Sequence, residues 1–123
     1  MNTAKTLAIP ELNEGEIYAG AIINPDGTGH HVTLLPGDYD DATWDEQMEL
    51  AKSIGGDLPD RVEQALLFKY LPEQFKKEWY WSNTQHSSAS DYAWYQHFYG
   101  GNQYTNPKYH QLRARFVRRS VIQ

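Results

Sequence analysis

Along this chain the apolar positions first alternate, then recur every three or four residues, then alternate again. Residues 17–24 (IYAGAIIN) and 31–35 (HVTLL) are strand-like, and NPDGTG between them offers residues suited to φ > 0, which predicts a β-hairpin. GDYDDA reads as a second turn. In TWDEQMELAKSIGG the period lengthens: Trp44, Met48, Ala51 and Ile54 fall near one helical face. Thr43 with Glu46 three residues on makes a capping box, and Gly55 suits the left-handed stop after the last turn. LPDRVEQALLFKYLP predicts a second helix, with Asp60 as N-cap, Glu63 three residues later and Pro72 closing it. Val62, Ala65 and Leu66, with the stem of Lys69, make one stripe, and Leu67, Phe68, Tyr70 and Leu71 widen the apolar arc, so heavy burial is expected.

From Trp79 the period becomes two. WYWSN and YAWYQHF alternate as half-buried strands do; RARFVRRSVI closes the chain as a strand with Ala114, Phe116 and Arg118 on one side, and GGNQYTNPK is a loop. A hairpin, two helices and then several strands predict an α+β fold, two helices with an antiparallel sheet in a single domain. Residues 1–15, polar and holding Pro10, read as an N-terminal arm before a domain spanning 16–123.

Composition narrows the chemistry. The chain has 123 residues, enough for one core, and no cysteine, so disulfides, thiolate zinc sites and cysteine nucleophiles are out. The first residues lack the apolar stretch of a signal peptide, and nothing approaches a membrane span, so the expectation is a protein of the cytoplasm or a virion with no membrane insertion. The net charge of −5 is split: all but three of the 16 acids precede residue 64, and eight of the 11 bases follow it. This overall acidity argues against non-specific nucleic-acid binding. Arg113, Arg115 and Arg119 alternate to one face and flanking aromatics could stack on bases, but pairing of the arginines with the acidic first half is the reading preferred here.

Several short matches in order suggest a relationship. Leu58-Pro59 opening a capped helix with Glu63 resembles the Leu-Pro-Thr-x-x-Glu signature of a bacterial and phage domain family. Tyr80-Trp81-Ser82, Ala93-Trp94, the turn at 98–100 and Arg115-x-x-Arg118 resemble its further motifs. The family includes the C-terminal domain of bacterial collagen-like adhesins and is similar in fold to C-type lectin-like domains, formylglycine-generating enzymes and phage tropism determinants. The likeness runs over roughly residues 16–120, with Asp60 where the family usually has Thr and Asn83 where Ser often follows Ser82. It implies a C-type lectin-like or related fold and a phage or prophage protein. The chemistry of the better-known relatives does not come with it: formylglycine generation needs cysteines, and Asn24-Pro25-Asp26 and Trp81-Ser82-Asn83 match neither calcium-ligand motif of the lectins. No cofactor and no metal are expected.

Catalytic constellations find little support. His86, His97 and His110 could ligate a metal only if the fold gathered them, and His30-His31 point to opposite faces of a strand. Ser82, Ser87, Ser88 and Ser90 surround His86 without a glycine-framed elbow. Asp38, Asp40 and Asp41 lack calcium-loop spacing and suit the approach to a helix N-terminus. The expectation is therefore no enzyme and no catalytic residue. Tyrosine beside Ser, Gly and Asn is instead the composition of binding surfaces, combining rigid area with adaptable hydrogen bonding. With Trp94 and Phe98 inside and Trp81 nearby, Tyr95, His97 and Tyr99 would look outward or into a loop-covered groove. The adjoining loops would add His86, Asn102, Gln103, Tyr104, Asn106, Tyr109 and His110. The function expected is a non-enzymatic phage module binding a host or phage protein or a surface glycan. The alternative is an intracellular phage accessory protein that inhibits a host defence protein, with its acidic half imitating nucleic acid.

Overall fold

In a computed structural model residues 7–122 are described, and they form eight strands and two α-helices. Strands β1 (Ile17–Ile23) and β2 (Gly29–Leu34) make the predicted hairpin, with β8 (Val117–Val121) alongside β2 in an antiparallel three-stranded sheet. The second sheet has five strands in the order β3 (Tyr39–Ala42), β7 (Leu112–Ala114), β4 (Trp79–Gln85), β5 (Tyr92–His97), β6 (Gln103–Pro107). Its pairs are antiparallel except β4 with β7. Helices α1 (Trp44–Ser53) and α2 (Arg61–Tyr70) follow β3, and a short 3₁₀ turn begins at Pro72. The architecture is a single-domain α+β arrangement. Among the described residues no helix is long and apolar enough to cross a membrane.

Both helices start where local chemistry dictates. Thr43 and Asp60 each accept a hydrogen bond from the N–H of the glutamate three residues on, while Glu46 and Glu63 reach back to the cap N–H. The expected stripe of α1 holds at Trp44, Met48 and Ala51, whereas α2 buries a different set from the expected stripe. On α2 the buried positions are Glu63, Gln64 and Leu67, while Val62 and Ala65 are exposed. Polar partners explain the reversal: Gln64 Nε2 donates to the carbonyls of Tyr80 and Trp81, and Glu63 meets Arg119 and His30. On α1 the buried Gln47 donates to the carbonyls of Asp40 and Leu112, pinning β3 and β7, while Ile54 is exposed. A buried amide that finds carbonyl partners costs little and fixes a position more sharply than a methyl group would.

Each face of the five-stranded sheet packs against a hydrophobic core along part of its area. One face carries Trp81, Ala93, Tyr95, Leu112 and Ala114 in a cluster with Ala51, against which Trp44 and Met48 pack. The other carries Tyr80 and Phe98, packed with Phe75, with Leu67 of α2 and with Val32, Leu34 and Val117 of the first sheet. Phe98 stacks on Phe75 with ring centroids 3.9 Å apart. Trp81 and Phe98 therefore lie on opposite faces, and the expectation that they would pack together is corrected. A strand between two covered faces alternates between two cores rather than between core and solvent.

Three other expectations change. GDYDDA contains strand β3, and GGNQYTNPK contains edge strand β6. The terminal stretch is two strands in two different sheets, joined through Arg115 and Phe116. Arg115 at this junction is buried and, among the described residues, in no ion pair; it donates to the carbonyls of Gln74 and Leu35 at 2.6 and 2.8 Å, and burial lowers its pKa. The other arginines of the terminal stretch do pair with the acidic half: Arg113 with Asp38 and Asp40, Arg118 with Glu16, Arg119 with Asp57 and Glu63. Residues 7–13, the described part of the arm apart from its closing turn, carry no regular structure.

Candidate functional site: an aromatic groove on the open half of the sheet

The β4–β5 ladder positions the site through an irregularity. Trp81 pairs with Tyr95 and Gln85 with Ala93, leaving three residues of β4 opposite Trp94 alone. Ser82, fully buried, fills the gap: its hydroxyl donates to the Trp94 carbonyl at 2.7 Å and accepts from the Thr84 N–H at 3.0 Å. Asn83 meanwhile ties β4 to the linker between the helices through Pro59 and Asp57. Ser82 is thereby part of the ladder.

Beyond that irregularity the ladder is regular and sets Trp79 opposite His97 and Tyr95 opposite Tyr104. These side chains share one face of the sheet. The ring of Trp79 lies nearly parallel to that of Tyr95, centroids 5.0 Å apart, and His97 meets Trp79 edge-on at 6.0 Å. Tyr95 is buried, whereas Trp79 is 43% exposed. Tyr104 tilts against Tyr95 at 6.4 Å and Tyr99 against His97 at 6.3 Å. Burial pushes the Tyr95 phenol up in pKa, and Tyr104 adds to it, so Tyr95 is a neutral hydrogen-bonding group.

The chain from β6 to β7 must pass β5 and β4, and residues 108–111 make this crossing on the Trp79 face. The Lys108 N–H donates to the Asp91 carbonyl, and the Lys108 carbonyl accepts from the Trp44 N–H, fastening one end of the crossing to α1. Between this loop and β4 opens a groove of about 590 Å³, walled by Trp79, Asn106, Tyr109 and His110, with the carboxylates of Asp41 and Glu78 at its margin. Neither carboxylate is in an ion pair with a described residue.

The ten residues expected at the site divide. Tyr95, His97, Tyr104, Asn106, Tyr109 and His110 are brought to this face or its covering loop, and Tyr99 borders it through His97. Tyr95, expected to look outward or into a loop-covered groove, is instead a buried member of the core cluster beneath Trp79. Asn102 is exposed in the turn between β5 and β6. His86 and Gln103 are elsewhere. His86 Nδ1 accepts the N–H groups of Ser88 and Ala89, closing its own loop, and its ring is parallel to Trp94 at 6.1 Å. Gln103 clasps α2, donating to the Arg61 carbonyl at 2.7 Å and accepting from Arg61 Nε at 3.0 Å. Among the described residues no group of three or more His, Asp or Glu side chains is placed to hold a metal, so His86, His97 and His110 are not gathered. Trp79, Asp41 and Glu78 were missed. Trp79 was within reach, since it is two residues before Trp81 and so on the same face; the two carboxylates arrive from a strand and a bend that only the fold brings together.

In comparisons with known proteins, no family model matches the chain and no curated protein matches its sequence.

Proposed function

We propose that this protein is a non-enzymatic binding module that engages a macromolecular partner through the groove between Trp79 and the 108–111 loop. One observation carries the reading: Trp79 and Tyr109, at 43% and 75% exposure, line a single concavity, and Tyr104, 56% exposed, stands against Tyr95 on the same face of the sheet. Large aromatics exposed together at a concave surface are what interface centres use. The rigid sheet beneath them holds the rings in place, which limits the entropy lost on binding. The side chains that might have served catalysis are engaged in structure, Ser82 in the ladder and His86 in its loop. The motif likeness to adhesin-terminal and C-type lectin-like domains, and with it a phage or prophage origin, agrees with a display surface but does not name what is displayed to.

The alternative of inhibition by acidic mimicry gains less support. Glu16, Asp38, Asp40, Asp57 and Glu63, five acids of the first half, are paired with arginines of the same chain.

The test is capture from bacterial lysate by wild type and by Trp79→Ala/Tyr109→Ala, with circular dichroism confirming that both are folded. The reading expects a protein or glycan retained by wild type and lost from the double variant. Equal recovery by both would remove the groove as the binding surface.

A further inference from the structure

Three of the four tryptophans already have their polar or cationic partner within the chain. Trp94 carries the Arg61 guanidinium 3.5 Å above its ring, and Trp44 carries the Lys108 ammonium at 4.3 Å. Trp81 is fully buried and donates its indole N–H to the Ala42 carbonyl. Trp79 differs on each count. One face lies on Tyr95, the rest opens to the groove, and among the described residues no cation stands over it. Lys77, close in sequence, sits over Tyr99 at 5.0 Å instead. Asp41 and Glu78, which line the same groove, are in no ion pair among the described residues.

We infer that the groove receives a basic side chain of a protein partner, an arginine above all, laid on the Trp79 indole with its charge between Asp41 and Glu78. This rests on the reading of the groove as a binding surface and specifies what fills it. An indole face attracts a guanidinium through its quadrupole, and a guanidinium also stacks by its flat shape, which an ammonium cannot do as well. Two carboxylates left unpaired at the same concavity add electrostatic complementarity without desolvating a buried charge. The Arg61–Trp94 pair shows the same geometry realised within the molecule, on the opposite face of the same sheet. An anionic or neutral apolar ligand would leave Asp41 and Glu78 repelled or unused. The amide oxygen of Asn106 can accept from the remaining guanidinium N–H groups, which is the hydrogen-bonding sense this ligand requires.

The probe is a short blocked Gly-Arg-Gly peptide, followed through the indole N–H resonances of nitrogen-labelled protein. Its citrulline analogue has nearly the same shape and no charge. Saturable movement of the Trp79 resonance is expected with the arginine peptide, assigned by its disappearance in Trp79→Phe. Binding of the citrulline peptide should be about tenfold weaker, the size of a cation–π contact plus partly exposed ion pairs. Asp41→Asn/Glu78→Gln should shrink that difference to the cation–π part alone, as should raised salt. A difference unchanged in that variant also overturns the placement of the charge between the two carboxylates. Equal binding of both peptides, or no movement of Trp79 with either, overturns the inference. Lysate capture by the Asp41→Asn/Glu78→Gln variant separates this failure from failure of the broader reading. Undiminished capture that still depends on Trp79 and Tyr109 would keep the binding module and dismiss the basic side chain.

Discussion

Arg119 grips Glu63 with two hydrogen bonds of 2.7 Å, Nε to one carboxylate oxygen and Nη2 to the other. Glu63 is fully buried, shares its oxygens with His30 and with the N–H of Asp60, and so joins β8, β2 and the start of α2. Burial alone would raise its pKa, but Arg119, the Asp60 N–H and His30 outweigh it and hold the carboxyl below its usual value. Arg119→Ala leaves this charge buried without its main partner and should cost on the order of 3 kcal/mol in urea unfolding. Glu63→Gln in the Arg119→Ala background should cost less than the sum of the two single changes. Strict additivity in that double-mutant cycle would show the pair to be uncoupled.

Two tryptophans two residues apart should behave differently. Trp81 is fully buried between β4 and α1, so Trp81→Ala should cost about 3–5 kcal/mol, and Trp81→Phe, which keeps most of the packing, much less. Trp79→Ala removes one stacked contact with Tyr95 at a half-exposed site and should cost about 1 kcal/mol. Chemical denaturation of the three variants checks the contrast. A Trp79→Ala loss as large as that of Trp81→Ala would mean that the groove is structural.

Acid should weaken the fold through specific carboxyls. The hydrogen bonds from Arg118, then the Asn13 N–H, hold Glu16 at about 2 against an ordinary 4.5, and Glu63 is lowered as well. Both bind protons more weakly folded than unfolded, so their contribution is complete above about pH 4.5 and drains away as pH falls toward about 2. The urea midpoint should fall over that window. Glu16→Gln should flatten part of the slope, with its largest loss of stability at neutral pH; a slope unchanged in that variant would assign the effect to other groups.

Backbone conformation and a close approach can be separated at two glycines. Gly27 has φ +89° with nothing near a Cβ, so Gly27→Ala should cost only the left-handed conformation, about 1 kcal/mol. Gly101 has φ +83°, and a Cβ there would come 2.8 Å from Phe68 Cε2 in the packing of α2 on the sheet. Gly101→Ala should therefore be clearly the worse of the two in thermal unfolding. Equal losses would mean that Phe68 moves aside freely.

Local signals carried far in this chain where the interaction was local. The capping boxes at Thr43 and Asp60 and the hairpin around NPDGTG are decided within a few residues, and each is found where its pattern lies. The uneven distribution of charge also translated directly, since Arg113, Arg118 and Arg119 reach acids of the first half. What failed was the inference about which residues of α2 and of β5 face inward, whereas Trp44, Met48 and Ala51 of α1 and Ala114 and Phe116 do reach the core. Val62 and Ala65 look like a core stripe but stay exposed, because Arg119 and the carbonyls of β4 claim the neighbouring face for Glu63 and Gln64. Gln103 looks like a surface residue but is a clasp, because β6 passes beside Arg61.

By itself the sequence determined the α+β class, both helix starts and the aromatic character of the second half, all set by short-range periodicity and capping. Only the tertiary structure decided that β5 lies between two cores, that the terminal arginine stretch divides between two sheets, and that Trp79 meets Asp41 and Glu78 at one groove. The reason is that alternation marks two faces of a strand without saying what covers either, and the covering elements come from residues tens of positions away.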